Sequence, residues 1–302
     1  MTELITRLWH ASRPMTAVGL AMLPLFAAAV AGIFLDTRTI TGAPAWLKPA
    51  KFAISIALYL LTLSWVYSFL TIWQPLLSAM AWITALAMVV EVVILNVQAW
   101  RGVASHFNVG TPLDAALFGT MGTAIALLWV ASMVIAAALF VQSFDNPVLG
   151  AALRCGMLLT VLGSASGVLM PGPTKAQLAE SKQTGKLPLI GAHTVGAPDG
   201  GPGLPGVGWS TLFGDLRVPH FLGLHGVQII PLLGWLLLLQ KVPESRAVLK
   251  VYSASASYLG LYGLLLWQAI RAEPLTNPSR LIFGMFAVWL LASVLGWFVT
   301  GL

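Results

Sequence analysis

Four of the five histidines in this chain lie in the loops after apolar segments, as His106 and His193 do, or open the next segment, as His220 and His225 do, and three carboxylates, Glu91, Asp114 and Asp215, lie close to them in sequence or topology. Neutral imidazole is the commonest protein ligand for zinc, copper and haem iron, and a carboxylate often completes such a site. The four histidines with Asp114 are therefore the candidate metal set, for Zn, Cu or Fe. Glu91 and Asp215 are the candidate acid–base residues, able to take a proton from a metal-bound water. His220 and His225 are five apart, about 140° around a helix, so they cannot act together as an i, i+4 zinc pair does. His225 and Gln228, three apart, share a face. With Arg101 they are the candidate cofactor contacts, and a haem would take His225 as its best-placed axial ligand. The spacing as a whole matches no strong metal motif.

Glu91 also stands by itself as a chemical signal. It lies nine residues before Trp100, about 13 Å along a helix. A charged, unpaired carboxylate that deep in a bilayer costs roughly 2.5–3.5 kcal/mol or more, so it must be protonated, paired or facing water. Gln98, two turns on, shares its face; Asn96 does not. An intramembrane acid with a histidine nearby is what a proton-coupled carrier uses. Nucleophilic catalysis has weaker support, since Ser164, Ser166 and Ser210 lack a strained elbow motif. Cys155 is the sole cysteine, so no intramolecular disulfide forms.

The elements that must position these residues are membrane helices. Of 302 residues, 58% are hydrophobic and 9% charged, against about 25% charged in soluble domains. A soluble fold of this length could not bury so much apolar surface. Runs of the roughly 20 residues that a bilayer core requires appear near 15–35, 52–71, 77–98, 113–141, 149–170, 220–240, 251–271 and 281–301, and none contains a lysine. The first, at 21 residues, exceeds the roughly 7–15 of a signal-peptide core and reads as a span. The expectation is an all-α, polytopic helix bundle of about eight transmembrane helices, a single transmembrane domain over 1–302.

Helix-start chemistry marks the boundaries. Thr111-Pro112-Leu113-Asp114 reads as an N-cap, a proline in the first turn and an acid, and Asn146-Pro147 and Asn277-Pro278 repeat the cap–proline pattern. Pro219 plays a similar part before the sixth run. Tryptophans such as Trp9, Trp46, Trp73, Trp100 and Trp297 sit near span ends, where amphipathic rings favour the headgroup level. Gly163 with Gly167, and Ser253 with Ser257, are small-residue pairs suited to close helix contact. No internal repeat of the kind carriers show is evident.

Eight spans put the loops after the first, third, fifth and seventh on one side, with ten Lys and Arg against six on the other. The positive-inside rule makes the ten-charge side cytoplasmic. His106, His193, His220 and His225 share that side, so the candidate site faces the cytoplasm of a multi-pass cell-membrane protein.

One loop, 171–219, is far longer than ordinary connections. Thr174–Lys186 reads as a short surface helix. The Gly/Pro-rich stretch Pro198–Trp209 cannot continue a helix and suits a lid, anchored by Leu204, Val207, Trp209, Leu212 and Phe213. Within it, Asp215 and Arg217 are placed to pair at the entrance of the next helix.

The net charge of +6 is spread between apolar blocks, where it meets lipid headgroups, and excludes nucleic acid as a partner. The bilayer is the expected partner, with a lipid-soluble small molecule such as a quinone. The leading functional expectation is a haem- or metal-binding membrane redox protein or a metal-dependent enzyme. The alternatives are a proton-coupled transporter using Glu91 and a non-catalytic membrane scaffold.

Overall fold

A computed structural model describes residues 2–300 of the chain, with the side chain of Thr2 excepted. The elements in order are α1 (Thr2–Ala11), α2 (Arg13–Leu35), a β1–β2 hairpin (Thr39–Ile40, Ala43–Pro44), α3 (Leu47–Tyr67), α4 (Gln74–Arg101), α5 (Pro112–Val141) and α6 (Pro147–Ala165). A 3-10 turn over Ser166–Leu169 follows, then α7 (Lys175–Thr184), strands β3 (Thr194–Val195) and β4 (Gly214–Asp215), α8 (Arg217–Leu224), α9 (Gly226–Leu239), α10 (Glu244–Ile270) and α11 (Arg280–Val299).

Among the described residues six helices are long and apolar enough to cross a membrane: α2, α3, α4, α5, α6 with its 3-10 extension, and α11. The pair α8–α9, bent by 44° at His225, counts as a seventh if it is one broken span. The expected run 251–271 lies in α10, whose 27 residues are long enough but include Tyr252, Ser253, Ser255, Ser257, Tyr258 and Tyr262, and it does not join the apolar set.

The boundary chemistry is explicit. Asn146 Oδ1 accepts the Leu149 N–H at 2.9 Å at the start of α6. Thr111 Oγ1 accepts the Asp114 N–H at 3.1 Å beside α5. For α11 the cap is Ser279, which accepts from Ile282 N, so that helix starts two residues beyond the expected Asn277. Pro219 lies inside the first turn of α8 rather than before it. The surface helix α7 has a full capping box between Thr174 and Gln177 and ends at Gly185.

The chain forms two compact units, and both α5 and the long 171–219 loop are divided between them. Unit 1 holds the chain up to Val134 together with Pro171–Ala192. There α2 packs along α3, with α1 and α4 against them, around fully buried Met15, Leu60, Leu63, Leu77 and Leu95. Unit 2 holds Ile135–Met170 and the chain from His193 onward. Its core joins α6, α9 and α10 through Val148, Ala152, Leu159, Ile230, Leu237 and Val251.

Small residues let the unit 2 helices approach to backbone contact. A Cβ on Gly163 would stand 2.3 Å from Gly223 Cα, and one on Gly156 would stand 2.8 Å from the Gly226 carbonyl oxygen. Gly167 leaves room for the His220 ring, 3.1 Å from where its Cβ would be. Ser257 of α10 meets α11, its hydroxyl 2.6 Å from that of Ser293. Gly163→Val therefore forces α6 and α8 apart. It is expected to destabilise unit 2 by about 1–3 kcal/mol or more, read as a lower denaturant midpoint in mixed micelles. Gly122→Ala, where an added Cβ meets nothing within 4 Å, should leave the midpoint unchanged.

Candidate functional site

In unit 1 the chemistry gathers where the loop after α4 folds back along its own helix. Glu91 lies ten residues before the end of α4, about 15 Å of helical rise. The chain from Gly102 to Thr111 nonetheless returns far enough to bring His106 Nε2 to 3.4 Å from Glu91 Oε1. Phe107 adopts a left-handed backbone at φ 63°, which is uncommon for a bulky residue and persists only where surroundings enforce it. Two neighbours do so: Ile190 N–H donates to the Phe107 carbonyl at 2.8 Å and Val109 N–H donates to Pro188 O at 2.9 Å. The 188–191 segment is in turn tied to α7 by the Gln177 side chain, which donates to Gly191 O and accepts from Gly191 N.

The pair is enclosed by aromatic rings. His106 meets Phe52, Phe107 and Phe118 with ring centroids 5.8, 6.1 and 6.4 Å away. Lys48 lies over Phe52, and its charge acts on Glu91. Glu91 is 2% exposed, and its second oxygen, Oε2, is buried without a hydrogen-bond partner.

Asp114 serves a different purpose from the expected one. Its Oδ1 accepts from Arg101 at 2.6 Å and from Gln98 at 2.9 Å, and its Oδ2 accepts from Thr111 Oγ1 at 2.6 Å. Arg101 also donates to Gln98 Oε1. The expected metal ligand and cofactor contact thus form an ion pair that fastens the end of α4 to the start of α5.

In unit 2, His193 Nδ1 lies 2.6 Å from Asp199 Oδ2. The same carboxylate accepts the backbone N–H groups of His193 and Thr194 at 3.0 and 2.9 Å. Burial alone would raise the Asp199 pKa, but the imidazole and the two N–H donors outweigh it and hold the carboxyl well below the usual range. Asp215 is buried and grips Arg217 through both oxygens, at 2.9 and 2.6 Å, while accepting the Ser210 N–H at 2.8 Å. Arg217 goes on to Gly208 O at 2.6 Å. The pair expected at the helix entrance is present, and it folds the Gly/Pro-rich segment against α8.

His220 Nδ1 lies 2.9 Å from Gly163 O and 3.3 Å from Ser166 Oγ, which places a proton on Nδ1. His225 occupies the α8–α9 break, its ring 4.3 Å from Phe221, and Phe221 meets Trp209 of the long loop at 5.6 Å.

The expected single cluster is therefore resolved into separate arrangements. His106, Asp114, Arg101 and Glu91 belong to unit 1; His193, His220, His225, Gln228 and Asp215 belong to unit 2. Among the described residues no three His, Cys, Asp or Glu side chains come together to hold a metal ion. The reason is local: Asp114 and Asp215 are occupied by arginines, and each histidine is oriented by its own neighbours. Sequence reading did not single out Asp199, whose signal was an Asp-Gly turn six residues after His193, or Lys48, whose role needs the fold.

Because the Asp199 pKa is lower folded than unfolded, its contribution to stability is present above the ordinary carboxylate pKa of about 4 and is lost as pH falls below it. Asp199→Asn is expected to lower stability by about 1.5–3 kcal/mol near pH 6. In thermal unfolding from pH 6 to pH 3, the gap between variant and wild type should narrow below about pH 4.

Comparison with known proteins gave no match, whether to a family model, a curated protein or a solved structure.

Proposed function

We propose that this chain is a proton-coupled membrane carrier in which Glu91 and His106 form the proton-binding pair. One observation supports this above others: a carboxyl group 2% exposed, inside a helix apolar enough to span a membrane, with one oxygen against an imidazole and the other without a partner. A proton on the carboxyl relieves the cost of a buried charge. Transfer to His106 creates a carboxylate–imidazolium pair that attracts as it forms. Side-chain exposure differs within the pair, 22% for His106 and 2% for Glu91, so the proton exchanges with water through the imidazole and is stored on the carboxyl. The inward loop fits the same reading, because non-helical backbone at membrane depth is tolerated where it is buried in protein or lines a wet cavity. The placement we infer is the cell membrane, with the His106 loop facing the cytoplasm by the balance of Lys and Arg.

A second reading, a metal or haem site feeding a membrane redox partner or activating water, draws on a narrower observation. In unit 2 both His193 and His220 have Nδ1 against a fixed acceptor, the second-shell arrangement that orients a ligating imidazole through its other nitrogen.

In proteoliposomes holding a pH-sensitive dye, an imposed inside-negative potential is expected to drive proton entry. Glu91→Gln should slow it about a hundredfold, and His106→Gln should slow it as well. Equal rates in wild type and Glu91→Gln, with both folded, would overturn the carrier reading.

A further inference from the structure

Helices α10 and α11 pack side by side in unit 2 and leave between them a groove of about 310 Å³. Its α10 wall runs down one helix face through Ser253, Ser257 and Leu261, and its α11 wall is aromatic, with Trp289, Trp297 and Phe298. A crevice of that size between helices, apolar with a few placed polar groups, has the ordinary form of a ligand site. The groove is open along α11, where Val294 and Phe298 are 43% and 68% exposed. That helix is apolar enough to span a membrane, so the approach is from lipid.

Polar groups are satisfied at one end of the groove and open at the other. Toward Leu261, Trp289 Nε1 donates to Ser257 O at 2.8 Å, and Ser293 Oγ donates to Trp289 O at 2.7 Å while lying 2.6 Å from Ser257 Oγ. Nearer the start of α10, Ser253 Oγ forms no hydrogen bond among the described residues. Three residues earlier, Lys250 Nζ stands 4.0 Å from the Trp297 ring centroid and donates to Trp297 O at 3.1 Å. An ammonium has three donors, so that carbonyl leaves two. Arg38, Arg101, Arg217 and Arg271 each meet a carboxylate, whereas none pairs with Lys250 among the described residues. From Lys250 to Leu261 the helix rises about 16 Å, the scale of an acyl chain.

We propose that the α10–α11 groove binds an anionic phospholipid, its phosphate received by Lys250 Nζ and Ser253 Oγ and one acyl chain laid along the groove toward Leu261. A basic side chain beside a crevice between membrane helices is how acidic headgroups are recognised. A zwitterionic lipid has the same phosphate but brings its own cation, so the ammonium discriminates by net headgroup charge. The inference concerns unit 2 alone and is independent of the Glu91–His106 pair.

The test is native mass spectrometry of the whole chain in neutral detergent, with phosphatidylglycerol and phosphatidylcholine of matched acyl chains added in equal amounts. Phosphatidylglycerol is expected to be retained about fivefold over phosphatidylcholine, the worth of one cation facing an acidic headgroup. Lys250→Met should bring that ratio to about one, and Lys250→Arg should keep it. Lys241→Met removes an exposed cation outside the groove and should leave the ratio unchanged. Ala254→Phe, which fills the groove from α10, should reduce retention of both lipids, and it decides the matter if Lys250→Met does not fold. Glu91→Gln should retain lipid as wild type does, which separates this result from the carrier reading. Equal retention of the two lipids by wild type, a preference that survives Lys250→Met, one lost equally in Lys241→Met, or full retention by Ala254→Phe would overturn the proposal.

Discussion

In an apolar solvent each backbone N–H and C=O must find its partner within the protein, because no water is there to take its place. Where this chain leaves its helices after α4 and at the α8–α9 break, specific groups meet that demand. The loop after α4 is held by Pro188 and Ile190, and the α8–α9 break by Thr160 and Tyr258. Arg154, a charge well inside α6, turns its guanidinium to Leu139 O and Gln142 O near the end of α5. These provisions make it informative that Glu91 Oε2 is left without a donor. Buried polar atoms are ordinarily hydrogen-bonded, and an exception calls for a cause.

The buried carboxylates are matched in two opposite ways. Asp114 and Asp215 each receive an arginine and several further donors, so their charges are fixed and they fasten helix ends. Glu91 receives one imidazole and the more distant charge of Lys48. A carboxylate matched by arginine holds its charge through any physiological change. One matched by imidazole can exchange it, because the partner's proton affinity falls near neutrality. That difference, together with its place inside a membrane-length helix, which the imidazole-paired Asp199 lacks, is why the proposal rests on Glu91.

The helices were legible in the sequence because length and apolarity decide them almost alone, and the caps at Thr111 and Asn146 gave two of their starts. The run in α10 reads as a span by length, yet its serines and tyrosines, several turned toward α11 and α8, lower its apolarity. The bend at His225 carries no proline at the break itself and becomes visible through what Thr160 and Tyr258 do to the backbone. Asp215 and Arg217 could be paired from spacing, since two residues at a helix entrance have little freedom. The Glu91–His106 contact was not legible, because it depends on Phe107 taking a left-handed backbone and on residues some eighty positions later holding it there. The gathering of four histidines on one side followed from topology, but side of the membrane says nothing about distance within it, and the histidines divide between two units.

The most direct test of the central claim is infrared difference spectroscopy of the protein in lipid across a pH titration, following the C=O stretch of a protonated carboxylic acid. A band that titrates, disappears in Glu91→Gln and shifts its midpoint in His106→Gln would show that Glu91 takes up and releases the proton in partnership with the imidazole. A spectrum with no Glu91-dependent carboxylic acid band across the range, in folded protein, would contradict the account, leaving Glu91 as a fixed structural charge.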